Sequence, residues 1–164
     1  MSLSAQKLPH YDKINKIMWE TDTLFAITDN PPLNIADIEV YLSPITYSCT
    51  IYFTNNSDQP IEVNWSRVII KNDGNSIMTR LRKAVLIDEQ QQIQKVPKKG
   101  KVWQSFEAIY GDKVLNLGNA KKQYKRQKKP VSVFLEAIFP IIYNDEEIKI
   151  HTVVHGLYDP KYQK

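Results

Sequence analysis

Apolar and polar residues alternate one by one through much of this chain. In residues 47–54, Tyr47, Cys49, Ile51 and Phe53 share one side and Ser48, Thr50, Tyr52 and Thr54 the other. This period of two gives a strand with one face on a core and one toward water. The following "NNSDQP" is turn chemistry, in which Asn and Asp bond their own backbone and Pro60 ends the turn. Ile61, Val63 and Trp65 then alternate with Glu62 and Asn64, and the whole stretch predicts an antiparallel hairpin. Ile38, Val40 and Leu42 form a similar face before Pro44, and "RVIIKNDG" closes on Asn72, Asp73 and Gly74, a hairpin signal. Val131, Val133, Leu135, Ala137 and Phe139 share a side; after a turn at 143–147, Ile148, Ile150, Thr152 and Val154 return along the same core.

Two segments fit more than one period. Behind a Ser76 cap, Ile77, Leu81 and Val85 suit a helix, yet residues 76–95 alternate equally well as a strand with Arg80 and Arg82 outward. Strand is preferred because the neighbours are strands. Residues 11–28 predict a short helix and then a strand ending before Asn30, Pro31 and Pro32. Together these elements predict an all-β fold, an antiparallel immunoglobulin-like β-sandwich of about 7–9 strands with room for one short helix; a barrel is the alternative. The 164 residues suit one domain. We expect a flexible segment at 1–15, a sandwich over 16–158 with a basic loop at 119–130, and a flexible C-terminus at 159–164.

A 42% apolar share can build a core, and the single Cys49 allows no internal disulfide. The longest apolar run, "VSVFLEAIFPIIY", is interrupted by Glu136 and Pro140 and falls short of the roughly 18–20 residues that span a bilayer. No basic stretch followed by an apolar one opens the sequence, so a leader is not among these residues. The net charge of +4 is local: taking away Lys121, Lys122, Lys125, Arg126, Lys128 and Lys129 leaves −2.

A strand ending in Asn, the "SDQPI" turn, a strand carrying Trp65, the Asp73-Gly74 hairpin and the later "VPKKGKVWQSF" resemble small immunoglobulin-like modules of bacterial cell-envelope proteins, many of them lipoproteins. The match covers residues 46–106. The resemblance implies an exported, non-catalytic module of the cell envelope. The chain departs from it in the lysine-rich segment and in lacking a lipidation cysteine near the N-terminus, so membrane anchoring is not implied.

Candidate chemistry is sparse. His151 and His155 would share a helix face, but on a strand four residues span about 13 Å, too far for two ligands of one metal. Cys49 lies on an apolar face, where a thiol stays inert. Asp145, Glu146 and Glu147 fall in an exposed turn, where carboxylates keep ordinary pKa values. With no Gly-rich phosphate loop, G-x-S-x-G elbow or C-x-x-C pair, the expectation is a protein that is not an enzyme and takes no metal or cofactor. Asn55-Asn56-Ser57 and Asn64-Trp65-Ser66 match the N-x-S pattern, ascribed here to chance in an asparagine-rich chain.

Three tryptophans are candidates for stacking on sugars or bases, and Trp103 is the one whose place the pattern does not settle; Trp65 shares parity with Ile61 and Val63 and is expected in the core. The stronger candidate is an anion-binding set: Lys121, Lys122, Lys125, Arg126, Lys128 and Lys129 around Tyr124, with Lys98, Lys99 and Lys101 joining them in space. Such a set can track a phosphate backbone, attach to anionic lipid or meet an acidic protein patch. The bland alternative is a solvated segment that guards a strand edge. The expected function is therefore a non-enzymatic module binding another macromolecule through loops or an exposed edge. The alternative is a binder of nucleic acid, another anionic polymer or a membrane surface through residues 121–129, and an exposed aromatic would suit a carbohydrate.

Overall fold

The computed structural model describes residues 9–28, 30–82 and 92–162. They form two antiparallel sheets and one α-helix. The larger sheet runs β1 (His10–Asp12), β2 (Ile17–Ala26), β12 (Glu146–Tyr158), β11 (Val131–Tyr143), β5 (Ile61–Asn64) and β9 (Ile93–Val96). Its branch, β6 (Ile69–Asn72) with β7 (Asn75–Ile77), also joins β11. The smaller sheet runs β3 (Ile38–Pro44), β4 (Ser48–Asn55), β10 (Lys101–Ala108) and β8 (Thr79–Leu81). Helix α1 spans Gly118–Gln127.

The alternating faces are where the sequence puts them. Val131, Val133, Leu135, Ala137 and Phe139 of β11 and Ile148, Ile150, Thr152 and Val154 of β12 are all buried. The two strands pair along their full length, from Val131 opposite Tyr158 to Tyr143 opposite Glu146. The turn residues Asn144 and Asp145 both have positive φ, the two-residue geometry that matches strand twist. Asp73 and Gly74 turn β6 into β7 in the same way. Between the sheets, Phe53 meets Phe139 edge-on at 6.2 Å, and Trp65 packs on Phe106 and Phe139 at 5.9 and 5.8 Å.

Residues 47–65 do not form a hairpin. β4 pairs with β3 and β10, whereas β5 pairs with β11 and β9, so the turn carries the chain from one sheet to the other. Asn55 directs this crossing. Fully buried, it donates from Nδ2 to the carbonyls of Gln59 at 2.8 Å and Val96 at 3.1 Å, and accepts at Oδ1 from the Ser57 N–H and hydroxyl. It is no glycan acceptor in the folded chain. Met78 makes a second crossing, between β7 in one sheet and β8 in the other.

These crossings cut some of the predicted elements into pieces, giving twelve strands among the described residues, from three to 13 residues long, rather than about 7–9. The expected N-terminal helix is instead β1, a turn and β2. The body is wider than 16–158: Tyr11 donates to the Asp159 carbonyl at 3.0 Å and its ring stacks on Tyr162 at 4.7 Å. Of the ambiguous 76–95 segment, residues 75–77, 79–81 and 93–96 are strand and 83–91 lie outside the described residues.

Candidate functional site

The segment expected as a basic loop is a helix. Its inward stripe is Ala120 and Tyr124, preceded by Leu117 at the N-cap, and all three are buried. The spacing of three and four residues puts them on one face. The Tyr124 ring meets Tyr158 of β12 edge-on at 6.0 Å, and burial, followed by the nearby Tyr124, raises the Tyr158 hydroxyl above its ordinary pKa. Tyr124 is thus an anchor under the helix and not a surface contact for an anion. Lys121, Lys122, Lys125 and Arg126 all point outward and are exposed, as are Lys128 and Lys129 just beyond. Lys128 closes the helix in the left-handed region with φ 60°, its N–H donating to the Tyr124 carbonyl at 2.7 Å.

Folding favours some of these cations and not others: Lys125 and Arg126 in the last turn complement the helix dipole, and three features run the other way. Lys121 faces Lys125 and Lys122 faces Arg126 at i,i+4, each like-charge pair costing about 0.2–0.5 kcal/mol. Lys121 and Lys122 lie in the N-terminal half of α1, toward the positive end of the helix dipole. Among the described residues, no ion pair engages any of the six. α1 packs on β11 and β12, and among the described residues β11 has a strand partner over 131–133 only on its β12 side, so α1 is also placed to cover that edge.

Register shows what else stands at this end. Val131 is opposite Tyr158, and Tyr158 is opposite Ile17, so the β1–β2 turn with exposed Lys13 and Lys16, and Lys161 after β12, lie at the same end as α1. Among the carboxylates there, Asp12 accepts from the Ile14 and Asn15 N–H groups, Asp159 from the Lys161 N–H and Asp73 from the Phe134 N–H, while Asp112 stands exposed in the β10–α1 loop. Leu115 donates to the Thr46 carbonyl and Asn116 to the Asn72 side chain, which ties the β10–α1 loop and the β3–β4 turn to this end too.

Lys98, Lys99 and Lys101 do not join it. They follow β9, whose Val96 faces Ile61 of β5, and β5 pairs near the Tyr143 end of β11. The 13 residues of β11 therefore separate the two groups, about 40 Å at roughly 3.3 Å per residue. Lys99 is also engaged locally, its Nζ donating to the Asn56 carbonyl at 2.6 Å.

Trp103 is 60% exposed, while Trp19 and Trp65 are buried. It stands in a row across the outer face of the smaller sheet, opposite Tyr52, which is opposite Tyr41. Tyr41 and Tyr52 stack at 5.6 Å and Trp103 tilts toward Tyr52 at 6.4 Å. Trp103 is the exposed member of this row.

The histidines stay apart. His151 Nε2 is 3.0 Å from Glu136 Oε1 and its ring lies on Phe25, whereas His155 Nε2 is 3.1 Å from Ser132 Oγ and its ring stacks on Phe134. Cys49 is buried, and loss of solvent pushes its thiol up to about 12. Clefts among the described residues range from about 110 Å³, beside His10, Asp12, Trp19 and Tyr41, to about 380 Å³ in a hollow beside Arg80, Glu107 and Tyr110. No helix among the described residues is long and apolar enough to cross a membrane.

The chain matches no family model and no curated protein. Among solved structures it is similar to one described as "Crystal structure of protein from Archaeoglobus fulgidus", with 10% identity and a TM-score of 0.39 over 77% of this chain and 97% of that one.

Proposed function

We propose that this protein is a non-enzymatic binding module that docks a polyanionic partner through the end of the sheets capped by α1. The observation that carries this reading is the orientation of α1, which turns Ala120 and Tyr124 inward and Lys121, Lys122, Lys125 and Arg126 outward, with Lys128 and Lys129 exposed just beyond. Lys13, Lys16 and Lys161 widen the same charged end. The sealed thiol of Cys49 and the separately engaged histidines support a role without catalysis. We assign the two-sheet arrangement to the immunoglobulin-like class, exported to or associated with the cell envelope as the turn pattern implies. What supports this is Trp65, buried between the sheets against Phe106 and Phe139, as a core tryptophan is in that class.

The test is binding to heparin, single-stranded DNA and anionic vesicles at two salt concentrations. The fourfold variant Lys121→Gln, Lys122→Gln, Lys125→Gln, Arg126→Gln keeps good helix formers at each position. Affinity should fall steeply with salt for the wild type and less steeply for the variant, since each neutralised anion adds roughly 0.7–0.9 to the slope on nucleic acid. Absence of salt-sensitive binding to all three partners overturns the reading.

A further inference from the structure

Four large apolar side chains stand exposed at the same end as the cations. Ile14, at the tip of the β1–β2 turn between Lys13 and Lys16, is 89% exposed, and Tyr110, in the loop between β10 and α1, is 84% exposed. Ile45 and Tyr47, in the β3–β4 turn, are each more than half exposed. The Tyr47 carbonyl accepts from the Ala108 N–H and the Thr46 carbonyl from the Leu115 N–H, so this turn adjoins the loop that carries Tyr110. Scattered apolar side chains are ordinary on a surface. Here, by contrast, three separate connections at one end each lift an apolar tip clear of the body. The turns at the opposite end present mostly polar side chains, Asp58, Gln59, Lys98, Lys99, Asn144 and Asp145, with Ile27 after β2 the exposed apolar exception.

Cations beside projecting Ile and Tyr tips match one partner chemistry. A nucleic acid or an acidic polysaccharide satisfies the lysines but leaves isoleucines in water. A bilayer interface carrying anionic headgroups satisfies both, since basic residues meet phosphate while Ile and Tyr enter the headgroup boundary. Resting on the docking reading above, we propose that the α1 end binds the surface of an anionic lipid bilayer, with α1, Lys13 and Lys16 facing the headgroups and Ile14, Tyr110, Ile45 and Tyr47 inserting at the interface. The protein lies on the membrane without crossing it.

Co-sedimentation with phosphatidylglycerol–phosphatidylcholine vesicles tests the proposal, with phosphatidylcholine vesicles, heparin and single-stranded DNA as parallel arms. The wild type should bind the anionic vesicles and bind phosphatidylcholine far more weakly, each cation near the surface contributing roughly fivefold. Ile14→Ser with Tyr110→Ser should weaken vesicle binding about tenfold per side chain and leave heparin binding unchanged. Both side chains are exposed in the folded state, so neither change threatens folding. A Tyr110→Trp reporter should shift its fluorescence to the blue on anionic vesicles and not on heparin. If the serine variant binds vesicles as the wild type does, or if only heparin or DNA is bound, the membrane inference falls while polyanion docking stands. If no arm shows salt-sensitive binding, both fall.

Discussion

Tyr124→Ala separates an anchor from a ligand contact. The ring is buried under α1 and meets Tyr158 edge-on. Truncation removes about 1.5–3 kcal/mol of apolar burial and about 0.5–1.5 kcal/mol of ring-on-ring contact, together about 2–4 kcal/mol. The helix has little in reserve. At ten residues it is shorter than the roughly 12–15 at which isolated helices become marginal. Leu117 at the N-cap has no side-chain acceptor for the first turn, leaving Asn116 Oδ1 to accept from the Gly118 N–H, and two like-charge pairs oppose the helix. Residues 118–127 should therefore open locally while the sheets persist. Hydrogen exchange reads this directly. The Lys121 and Lys128 amides, bonded to the Leu117 and Tyr124 carbonyls, should lose roughly 30- to 1000-fold in protection, and amides of β11 and β12 should keep theirs. Tyr124→Phe retains the ring and should leave both protection and polyanion binding intact. Unchanged amide protection in Tyr124→Ala, or weaker anion binding in Tyr124→Phe, would refute the anchor role.

Asn55→Ala strips a bond from the buried Val96 carbonyl and the buried Ser57 N–H, and should cost about 2–4 kcal/mol in urea unfolding, since each orphaned buried group costs about 1–3 kcal/mol. Gly156→Ala would place a methyl 2.6 Å from Ile17 Cγ2 and 2.7 Å from Trp19 Cε3. The overpacking cost of about 1–3 kcal/mol should outweigh the roughly 0.4–1 kcal/mol gained from a less flexible unfolded chain, so a midpoint at or above wild type would count against the packing. Cys49 has its thiol raised from 9.0 to about 12 in the fold, so above pH 9 the unfolded chain gives up this proton first. Its stabilising contribution is complete below pH 9 and is lost as pH rises toward 12, about 1.4 kcal/mol by pH 10 and about 4 kcal/mol in all. In matched denaturant titrations, Cys49→Val should lose less stability than wild type from pH 9 to 10; parallel losses would contradict burial of the thiol.

The β11–β12 hairpin was readable because Val131–Phe139 and Ile148–Val154 each keep every second residue on one face and a two-residue Asn144-Asp145 turn lies between them. The β4–β5 crossing was not, because Ile51 and Phe53 point into the same core from one sheet as Ile61 and Val63 do from the other. Alternation tells which side faces inward, not which sheet a strand has joined. Helix α1 was hidden by its charge: only Ala120 and Tyr124 carry the helical spacing, and a lysine-rich stretch with two apolar positions resembles a loop. The pair was the available signal. The six outward cations were legible as residue types. Their gathering with Lys13, Lys16 and Ile14, and their separation from Lys98, Lys99 and Lys101, depend on strand register, which no local window contains.

The spine of the larger sheet has a consequence for how the molecule is made. β2 can pair only with β1 and β12, while β5 and β6 both lean on β11, and β11 and β12 follow every other element in chain order. As a ribosome delivers the chain, the earlier strands of this sheet can pair only locally, β1 with β2, β6 with β7 and β5 with β9, and these pieces keep open edges until the closing hairpin emerges to join them. That interval of unpaired backbone is when the nascent chain is most in need of a chaperone.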